Sequence, residues 1–435
     1  MLRRHFIFGS TKINSNSHNW LPNNYIEYAA AYKVNPSEYD FGANFINNTF
    51  DSQIGILEFD NSVTKFGTDC FWNTKITKIF IPETVESIDW SSLQACINLE
   101  EIHVHPDNLI YDSRNNCNAV IETATNTLTN GCKNSIVVNG IQYIGTCAFR
   151  ECANLGTLNL PNTLLGIKDR AFYKCSSLES ITIPDSCLSL EHTCFGDCYS
   201  LKEIVLPCNL TEIPDDCFEN CTALNTIVIP DTVTSIRSEA FENTGISKIT
   251  IPNKVTSLGI RCFTLNKRLT AVILPTSLRE LPISCFAQCT ALNTINLLEG
   301  ITKISESCFA CCQSLTQISL PSTLTFLGGG CFYKCTSLTE LKIPEGITIL
   351  EESRKDFFNT GIFEGCSKLN TLYLPSTVTT FRKYMCKNCS QLVHIYYNNT
   401  IEKWNIITKD TSWKLNINSA CIVHCIDGDI PIADA

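Results

Sequence analysis

The sequence is poor in histidine, methionine and charge, and it lacks a long hydrophobic run. It contains 7 histidines, 2 methionines and 17% charged residues in a chain of 435. No stretch approaches the roughly 18 uninterrupted apolar residues of a transmembrane helix, so we expect no membrane span. The apolar patch HFIF near the N-terminus is far shorter than the roughly 7–15 residues of a signal-peptide core. We therefore expect a protein that is cytoplasmic, exported by another route, or released with a larger particle.

Motifs of catalysis and cofactor binding are also scarce. The three glycines at 328–330 lack the Lys-Ser/Thr of a phosphate-binding loop. His103 and His105 alternate along one segment and have no candidate acid or base partner. Because no convergent set of acid, base and nucleophile is present, we predict that the protein is not an enzyme and uses no cofactor. The net charge of −10 disfavours nucleic acid and acidic lipid as partners.

What the sequence does contain is a repeat of 23 residues. Each unit reads, in outline, F-x-x-C-x-x-L-x-x-I-x-L-P-x-x-L-x-x-I, and one interval of 22 residues occurs. The last Phe of the series, Phe363, follows its predecessor after 31 residues, which indicates a small insert near 351–358. The other anchor residues are Phe149, Phe172, Phe195, Phe218, Phe241, Phe263, Phe286, Phe309 and Phe332.

Each repeat has the pattern of one short strand followed by a return. In residues 180–184, SITIP, isoleucines alternate with Ser and Thr, and Pro184 ends the strand because it cannot donate to a ladder. The Phe segment is compatible with one helical or 3₁₀ turn. One repeat cannot bury its apolar face alone, whereas stacked repeats can. We therefore predict an α/β repeat solenoid, a leucine-rich-repeat superhelix with a parallel β-sheet on one face and caps at both ends.

The predicted strands would form one contiguous sheet. At roughly 4.8 Å between neighbouring strands, thirteen of them make a sheet about 60 Å long. The strand positions begin at Ile76, Leu99, Leu155, Leu178, Leu201, Leu224, Ile246, Leu269, Leu292, Leu315, Leu338, Leu369 and Leu392.

The 26 cysteines follow the same period. Ten lie three residues after an anchor position and seven lie one residue before it. On a helical turn both offsets fall on the face of the anchor Phe, where a free cysteine acts as a small buried hydrophobe. We favour an inert ladder of thiols over partial disulfide bonding, and over zinc, for which histidine partners are lacking. The predicted structural core therefore combines the anchor phenylalanines with Cys175, Cys198, Cys221 and Cys289.

Departures from the repeat divide the chain. Residues 1–24 are rich in Asn and Ser and predict a flexible or docked N-terminal arm. Residues 25–66 predict a β cap that shields the first coil from water. The repeat array spans 67–397 and contains a polar insert at 103–141, which we interpret as a hairpin-like excursion. Residues 398–435 predict a C-terminal cap that contains a helix.

Strand alternation sends every second strand residue onto the exposed face of the sheet. We predict that this face binds a partner through an apolar stripe in its middle and through aromatic residues at its C-terminal end. The alternative explanation is β-propensity alone, because Val, Thr, Ile and Tyr all suit strands. The candidate binding residues are Phe80, Val205, Val228, Ile273, Lys342, Tyr373, His394 and Tyr396.

Three segments resemble one known family. The stretch YDSRNNCNAVIETATNTLTNGCKNS at 111–135, with the repeated C-x-S-L-x-x-I-x-L-P-x-x-L, is similar to BspA-like leucine-rich-repeat proteins. The lead-in at 41–67 and the tail at 395–430 are similar to the same family. The resemblance implies a surface or secreted protein that adheres to proteins or cells without catalysis.

We therefore expect a non-catalytic binding or adhesion protein that presents an extended sheet face to a protein or a cell-surface glycan. The family also occurs in phages of gut bacteria, and no signal peptide is visible. A structural or receptor-binding virion component, associated with a tail or fibre, is therefore the main alternative. In that setting we expect assembly with other virion or surface subunits. An intracellular scaffold is the second alternative.

Overall fold

The computed structural model describes residues 18–35, 40–350 and 360–435. They belong to two compact units, Met1–Val138 and Asn139–Ala435. The division falls near the end of the insert that the sequence predicts inside the array. Most of the predicted N-terminal arm and the small insert near 351–358 lie outside the described residues.

The first unit joins an antiparallel sheet to short parallel coils. Strand β1 lies between β3 and β5, antiparallel to both, and β2 extends the sheet beyond β3. Strands β5 and β7, and likewise β4 and β6, pair in parallel. In the insert, β9 is antiparallel to both β8 and β10. The strands are β1 (Tyr25–Ala30), β2 (Phe45–Asp51), β3 (Ile54–Phe59), β4 (Lys65–Phe66), β5 (Ile76–Ile81), β6 (Ser87–Ile88), β7 (Glu101–Val104), β8 (Tyr111–Asp112), β9 (Ala119–Glu122) and β10 (Thr127–Gly131), with a 3₁₀ turn at Arg114–Asn116.

The second unit is a parallel β-solenoid with two ladders of short strands. The first, here called the front ladder, is formed by most of the predicted strand segments of this unit and by a C-terminal hairpin that was not predicted. Its strands are β13 (Ser180–Thr182), β15 (Glu203–Val205), β18 (Lys248–Thr250), β20 (Ala271–Ile273), β22 (Thr294–Ile295), β25 (Glu340–Lys342), β27 (Thr371–Leu374), β29 (His394–Tyr397), β31 (Ile422–Cys425) and the antiparallel edge strand β32 (Gly428–Pro431).

The second ladder, the return ladder, was not predicted. A second extended pair of residues follows each front strand along the chain. Such a pair, for example Gly166–Ile167, pairs in parallel with the corresponding residues of the next coil, and these pairs form the ladder. Its strands are β11 (Tyr143–Ile144), β12 (Gly166–Ile167), β14 (Ser189–Leu190), β16 (Glu212–Ile213), β17 (Ser235–Ile236), β19 (Ser257–Leu258), β21 (Glu280–Leu281), β23 (Lys303–Ile304), β24 (Phe326–Leu327), β26 (Ile349–Leu350), β28 (Thr380–Phe381) and β30 (Thr408–Lys409).

The front ladder is interrupted, so the prediction of one contiguous sheet is wrong. The segments that begin at Leu155, Leu224 and Leu315 follow the coil but form no strand. In the second unit the ladder therefore separates into β13–β15, β18–β20–β22 and β25–β27–β29–β31–β32. At the break after Leu224, Ser247 N still donates to Asn225 O at 3.3 Å. This single bond connects the two coils but is not enough to form a pair of β-strands.

The Phe segment is not the helical turn that we expected. Around Phe195, Thr193 and Asp197 have φ of 54° and 57°, and most other anchors repeat this pattern at the same offsets. Left-handed residues interrupt an α-helix and cost roughly 1–2 kcal/mol each. The alternation instead turns the N–H groups of these three residues toward carbonyl oxygens of the next coil, at 2.8–3.0 Å. These bonds between coils replace the bonds within a helix.

The anchor phenylalanines form one buried stack in the second unit. Adjacent rings from Phe149 to Phe363 lie nearly parallel, with centroids 5.2–6.1 Å apart. All ten side chains are at most 1% exposed. Stacked rings of this kind supply a large apolar area and fix the rise between coils.

The cysteines after each anchor do more than fill space. Cys198 Sγ donates to the carbonyl oxygen of Phe172 at 3.2 Å, and Cys175, Cys221 and Cys289 make the same bond to the anchor of the preceding coil at 3.0–3.2 Å. Burial raises the pKa of these thiols, so they stay protonated donors. The 26 cysteines all lie within the described residues, and each is present as a thiol and not as half of a disulfide.

The C-terminal segment closes the second unit. Helix α1 (Ile401–Asn405) is capped by the Thr400 hydroxyl and buries Trp404. Trp413 is also buried, and its ring centroid lies 5.2 Å from that of Phe381. The hairpin of β31 and β32 then adds two strands to the front ladder.

Candidate functional site

The front face of the second unit exposes the predicted apolar stripe. Val205, Val228 and Ile273 are 48%, 83% and 62% exposed. Thr250 lies between the last two on the coil that pairs with β20. The structure therefore exposes these side chains but does not gather all three into one patch.

The exposure expected for Phe80 is wrong. Its ring stacks on His18 at a centroid distance of 3.9 Å and on His103 at 4.9 Å, with Trp20 against its edge. Phe80 is only 7% exposed, because residues 18–20 of the predicted arm lie over this part of the sheet. Phe80 is therefore part of a covered aromatic cluster in the first unit.

The cluster around Phe80 also lowers the pKa of His18. His103 Nε2 and Lys78 Nζ lie 2.9 and 2.7 Å from the same Glu101 oxygen. Burial, assisted by the charges of His103 and Lys78, lowers the pKa of His18 to about 4. His18 is thus neutral when it stacks on Phe80 at neutral pH.

At the C-terminal end of the front ladder, aromatic residues come together. Tyr373 and Tyr396 occupy equivalent positions on paired strands and stack at 5.1 Å and 13°. His424 on β31 pairs with Tyr396 and continues the stack at 4.6 Å. With His394 these residues form what we call the tyrosine–histidine cluster.

Hydrogen bonds hold one side of this cluster. His394 Nδ1 and His424 Nε2 share a bond of 3.0 Å, and His424 Nδ1 lies 2.8 Å from Asp429 Oδ1 on the edge strand β32. His424 was missed in the sequence, where the C-terminal cap was not expected to prolong the binding face. The alternation in CIVHC, which continues the column of Tyr373 and Tyr396, was the available signal.

A groove of about 670 Å³ adjoins Tyr373. It includes front-face side chains of Gln317, Ser319, Glu340 and Lys342, of which Lys342 lies directly opposite Tyr373 on the neighbouring strand. A second pocket of about 560 Å³ shares Lys342 and Tyr373 and reaches His424. Of the eight predicted binding residues, the structure brings Lys342, Tyr373, Tyr396 and His394 into one region.

A second polar feature lies on the turns that contain the anchor phenylalanines, here called the Phe turns. Glu242 is 5% exposed and its carboxylate receives a 2.7 Å bond from Arg261. Burial nevertheless outweighs Arg261 and, with Glu239 nearby, raises the pKa of Glu242 to about 7. Within the described ranges, no group of three or more His, Cys, Asp or Glu residues is arranged to hold a metal ion.

These coils, ladders and Phe turns define a leucine-rich-repeat β-solenoid. The profile of the BspA type Leucine rich repeat region (6 copies) matches residues 45–130, 121–246, 234–359 and 352–407. The chain therefore belongs to the BspA-type leucine-rich-repeat family, as the sequence resemblance predicted.

One solved structure supports the fold, and others are similar at lower TM-scores. A leucine-rich repeat protein from Bacteroides ovatus ATCC 8483 is 22% identical and superposes with a TM-score of 0.55, over 85% of this chain and 90% of that one. A leucine rich cell surface protein from Faecalibacterium prausnitzii A2-165 is 23% identical, with a TM-score of 0.44 over 84% and 89% of the two chains. The pneumococcal vaccine antigen PcpA is 18% identical, with a TM-score of 0.44 over 70% and 93%.

Comparison with curated protein sequences finds no match. In the part of the chain that the structure describes, no helix has the length and apolar character needed to cross a bilayer.

Proposed function

We propose that the protein is a non-catalytic binding protein whose C-terminal front face, centred on the tyrosine–histidine cluster, engages a protein or glycan on another cell or surface. The main support for this proposal is the stack of Tyr373, Tyr396 and His424, which lies beside a groove. Tyr373 and Tyr396 are 36% and 38% exposed, although both would gain from burial. Aromatic side chains left accessible next to a concave surface are typical anchors of a binding interface.

The fold supports this choice of face. The front strands are joined in register from β25 to β31, so the cluster stands on a rigid surface. Its polar groups are arranged to hold side chains in place: the hydrogen bonds of His394 to His424 and of His424 to Asp429 orient the rings. A rigid, pre-arranged surface loses little conformational entropy when it binds.

The test is a binding measurement with the full chain on immobilised mucin glycoprotein and on cultured epithelial cells. We expect saturable binding that falls at least tenfold in the double variant Tyr373→Ser/Tyr396→Ser. Tyr199→Ser, at an exposed tyrosine outside the front ladder, is the matched control and should bind like the parent protein. Equal binding by the double variant and the parent, or no binding to either surface, would reject this function for the cluster.

A further inference from the structure

Tyr373 stands at the end of the aromatic stack, so its two ring faces differ. One face lies against Tyr396, with an interplanar angle of 13°. Because strands β25, β27 and β29 are parallel and in register, the other face of the Tyr373 ring is turned toward Lys342 and the groove. Tyr396, in contrast, is covered on one side by Tyr373 and on the other by His424. Tyr373 is thus the residue of the stack that offers a flat apolar surface to a ligand.

The remaining side chains on the front of the groove are polar. Glu340 and Lys342 are exposed on β25, and Gln317 and Ser319 are exposed on the preceding coil. Together they supply an acceptor, a donor and two groups that can do both. The apolar side chains at the alternate positions, Ile318 and Leu341, point into the core and are at most 9% exposed.

The interruption of the front ladder falls under this groove. Residues 315–320 form no strand, although the coils on either side contribute β22 and β25. Backbone N–H and C=O groups that are not engaged in a ladder need other partners, such as water or a ligand. The groove therefore combines one aromatic wall with a floor that can form hydrogen bonds.

Charge narrows the class of ligand. Glu299, Glu340 and Glu345 line the groove with only Lys342 as a counter-charge. Ser322 donates to Glu299 through both its N–H and its hydroxyl, and these bonds lower the pKa of Glu299. An anionic ligand would meet net repulsion here. A cation on the Tyr373 face would meet the Lys342 ammonium group.

We propose that this groove binds a neutral saccharide, with one sugar ring against the open face of Tyr373 and its hydroxyl groups bonded to Glu340 and Lys342. The apolar C–H face of a pyranose matches an aromatic ring, and its hydroxyls match mixed donors and acceptors. A protein partner would instead favour an apolar pocket that excludes water, which the groove does not provide. The inference rests on the proposed function of the same face and specifies its ligand.

The direct test is saturation-transfer difference NMR on the full chain with galactose, N-acetylglucosamine and lactose, and with sialyllactose as the anionic comparison. We expect transfer to the ring C–H protons of at least one neutral sugar, and a weaker effect with sialyllactose. Tyr373→Ser should weaken binding of that sugar at least tenfold. Tyr373→Phe, which keeps the ring, should retain much of the binding that Tyr373→Ser loses. Tyr199→Ser, at an exposed tyrosine outside the front ladder, should bind the sugar like the parent protein.

Three results would contradict the proposal that the groove binds a saccharide. These are no transfer from any neutral sugar, equal binding by Tyr373→Ser and the parent, or stronger binding of sialyllactose than of lactose. If the parent protein binds mucin through Tyr373 and Tyr396 but periodate treatment of the mucin leaves binding unchanged, the partner is a peptide. The proposed function would then stand while the saccharide assignment fails.

Discussion

Asn266 Nδ2 donates to the carbonyl oxygen of Phe241 at 2.8 Å, in the place where other coils use a cysteine thiol. The same amide group also donates to Phe263 O at 2.9 Å. Its Oδ1 accepts from both the N–H and the hydroxyl of Thr244, at 2.8 and 2.6 Å. Asn266 is completely buried, and its hydrogen-bonding capacity is fully used. The bond from this position to the anchor carbonyl therefore persists when the cysteine does not.

We predict that Asn266→Ala is strongly destabilising. The substitution leaves the Phe241 carbonyl and the two Thr244 groups without their partner inside the core. Each buried unsatisfied group costs about 1–3 kcal/mol, so the free energy of unfolding should fall by roughly 3 kcal/mol or more. Urea denaturation followed by circular dichroism measures the change.

The double variant Thr244→Cys/Asn266→Cys is the matched control. It restores the residue type that most other coils carry at these two positions and should recover stability to within about 1 kcal/mol of the parent. If the double variant were as unstable as Asn266→Ala, the thiol and amide ladder would not be the source of the effect.

We predict that Glu242→Gln stabilises the protein at alkaline pH. The pKa of Glu242 is raised to about 7 from 4.5, so the folded state binds a proton more tightly than the unfolded chain. The stability that this group contributes is complete below pH 4.5 and is lost as the pH rises through 7. Gln imitates the protonated form, and at pH 8 it should raise the free energy of unfolding by about 1–3 kcal/mol.

At pH 3.5 the same substitution should have little effect, because Glu242 is then protonated in the folded state and mostly protonated in the unfolded chain. Urea midpoints at the two pH values test the prediction. A stability difference between Glu242→Gln and the parent that is equal at both pH values would contradict it.

We predict that acid loosens residues 18–20 from the front face of the first unit. The pKa of His18 is lowered to about 4 from 6.5, so the stacked histidine resists protonation. Stability from this contact is present above pH 6.5 and is lost as the pH falls toward 4. Allowing for partial solvent screening, the loss amounts to about 1–2 kcal/mol. The change in Trp20 fluorescence, measured against a Trp20→Phe background, reports the release.

His18→Phe separates the titration from the stacking. It keeps a ring against Phe80 and removes the ionisable group, so Trp20 emission should stay constant between pH 6.5 and 4. An unchanged acid response in this variant would assign the transition to another group.

We predict a measurable coupling between Tyr396 and His424. Their rings stack at 4.6 Å, and stacked aromatic pairs contribute about 0.5–1.5 kcal/mol beyond their buried area. A double-mutant cycle with Tyr396→Ser and His424→Ala should return an interaction of that size in thermal or urea unfolding. The cycle of His424→Ala with Val228→Ser, on a distant coil, should return none.

Much of the architecture was readable because one spacing dominates the chain. The Phe period, the Pro-ended strand and the alternation of apolar residues predicted stacked coils, a parallel front ladder and buried anchor rings. The exposure of Tyr373, Tyr396 and Lys342 followed from the same alternation. A repeated pattern is informative because each coil packs the same types of residue against its neighbours in the same way.

Other features were hidden from the sequence. The helical turn was wrong because the Phe segment takes left-handed φ at residues such as Thr193 and Asp197, and neighbouring coils supply the bonds that compensate. Phe80 was expected on the surface because alternation cannot show that His18 folds back over it. The role of His424 depends on a C-terminal hairpin that adds to a sheet formed much earlier in the chain.

The sequence by itself determined the coil, since the choice of Phe, Leu, Ile and Pro at a fixed period leaves an apolar face that only stacking can bury. Only the tertiary structure decided where the front ladder is interrupted, which rings are covered and which remain open. Those outcomes depend on contacts between residues far apart in the chain, such as Trp20 with His105 and Tyr373 with Tyr396. The local conformational preferences of the residues cannot predict such contacts, because the contacts form only after the coils have stacked.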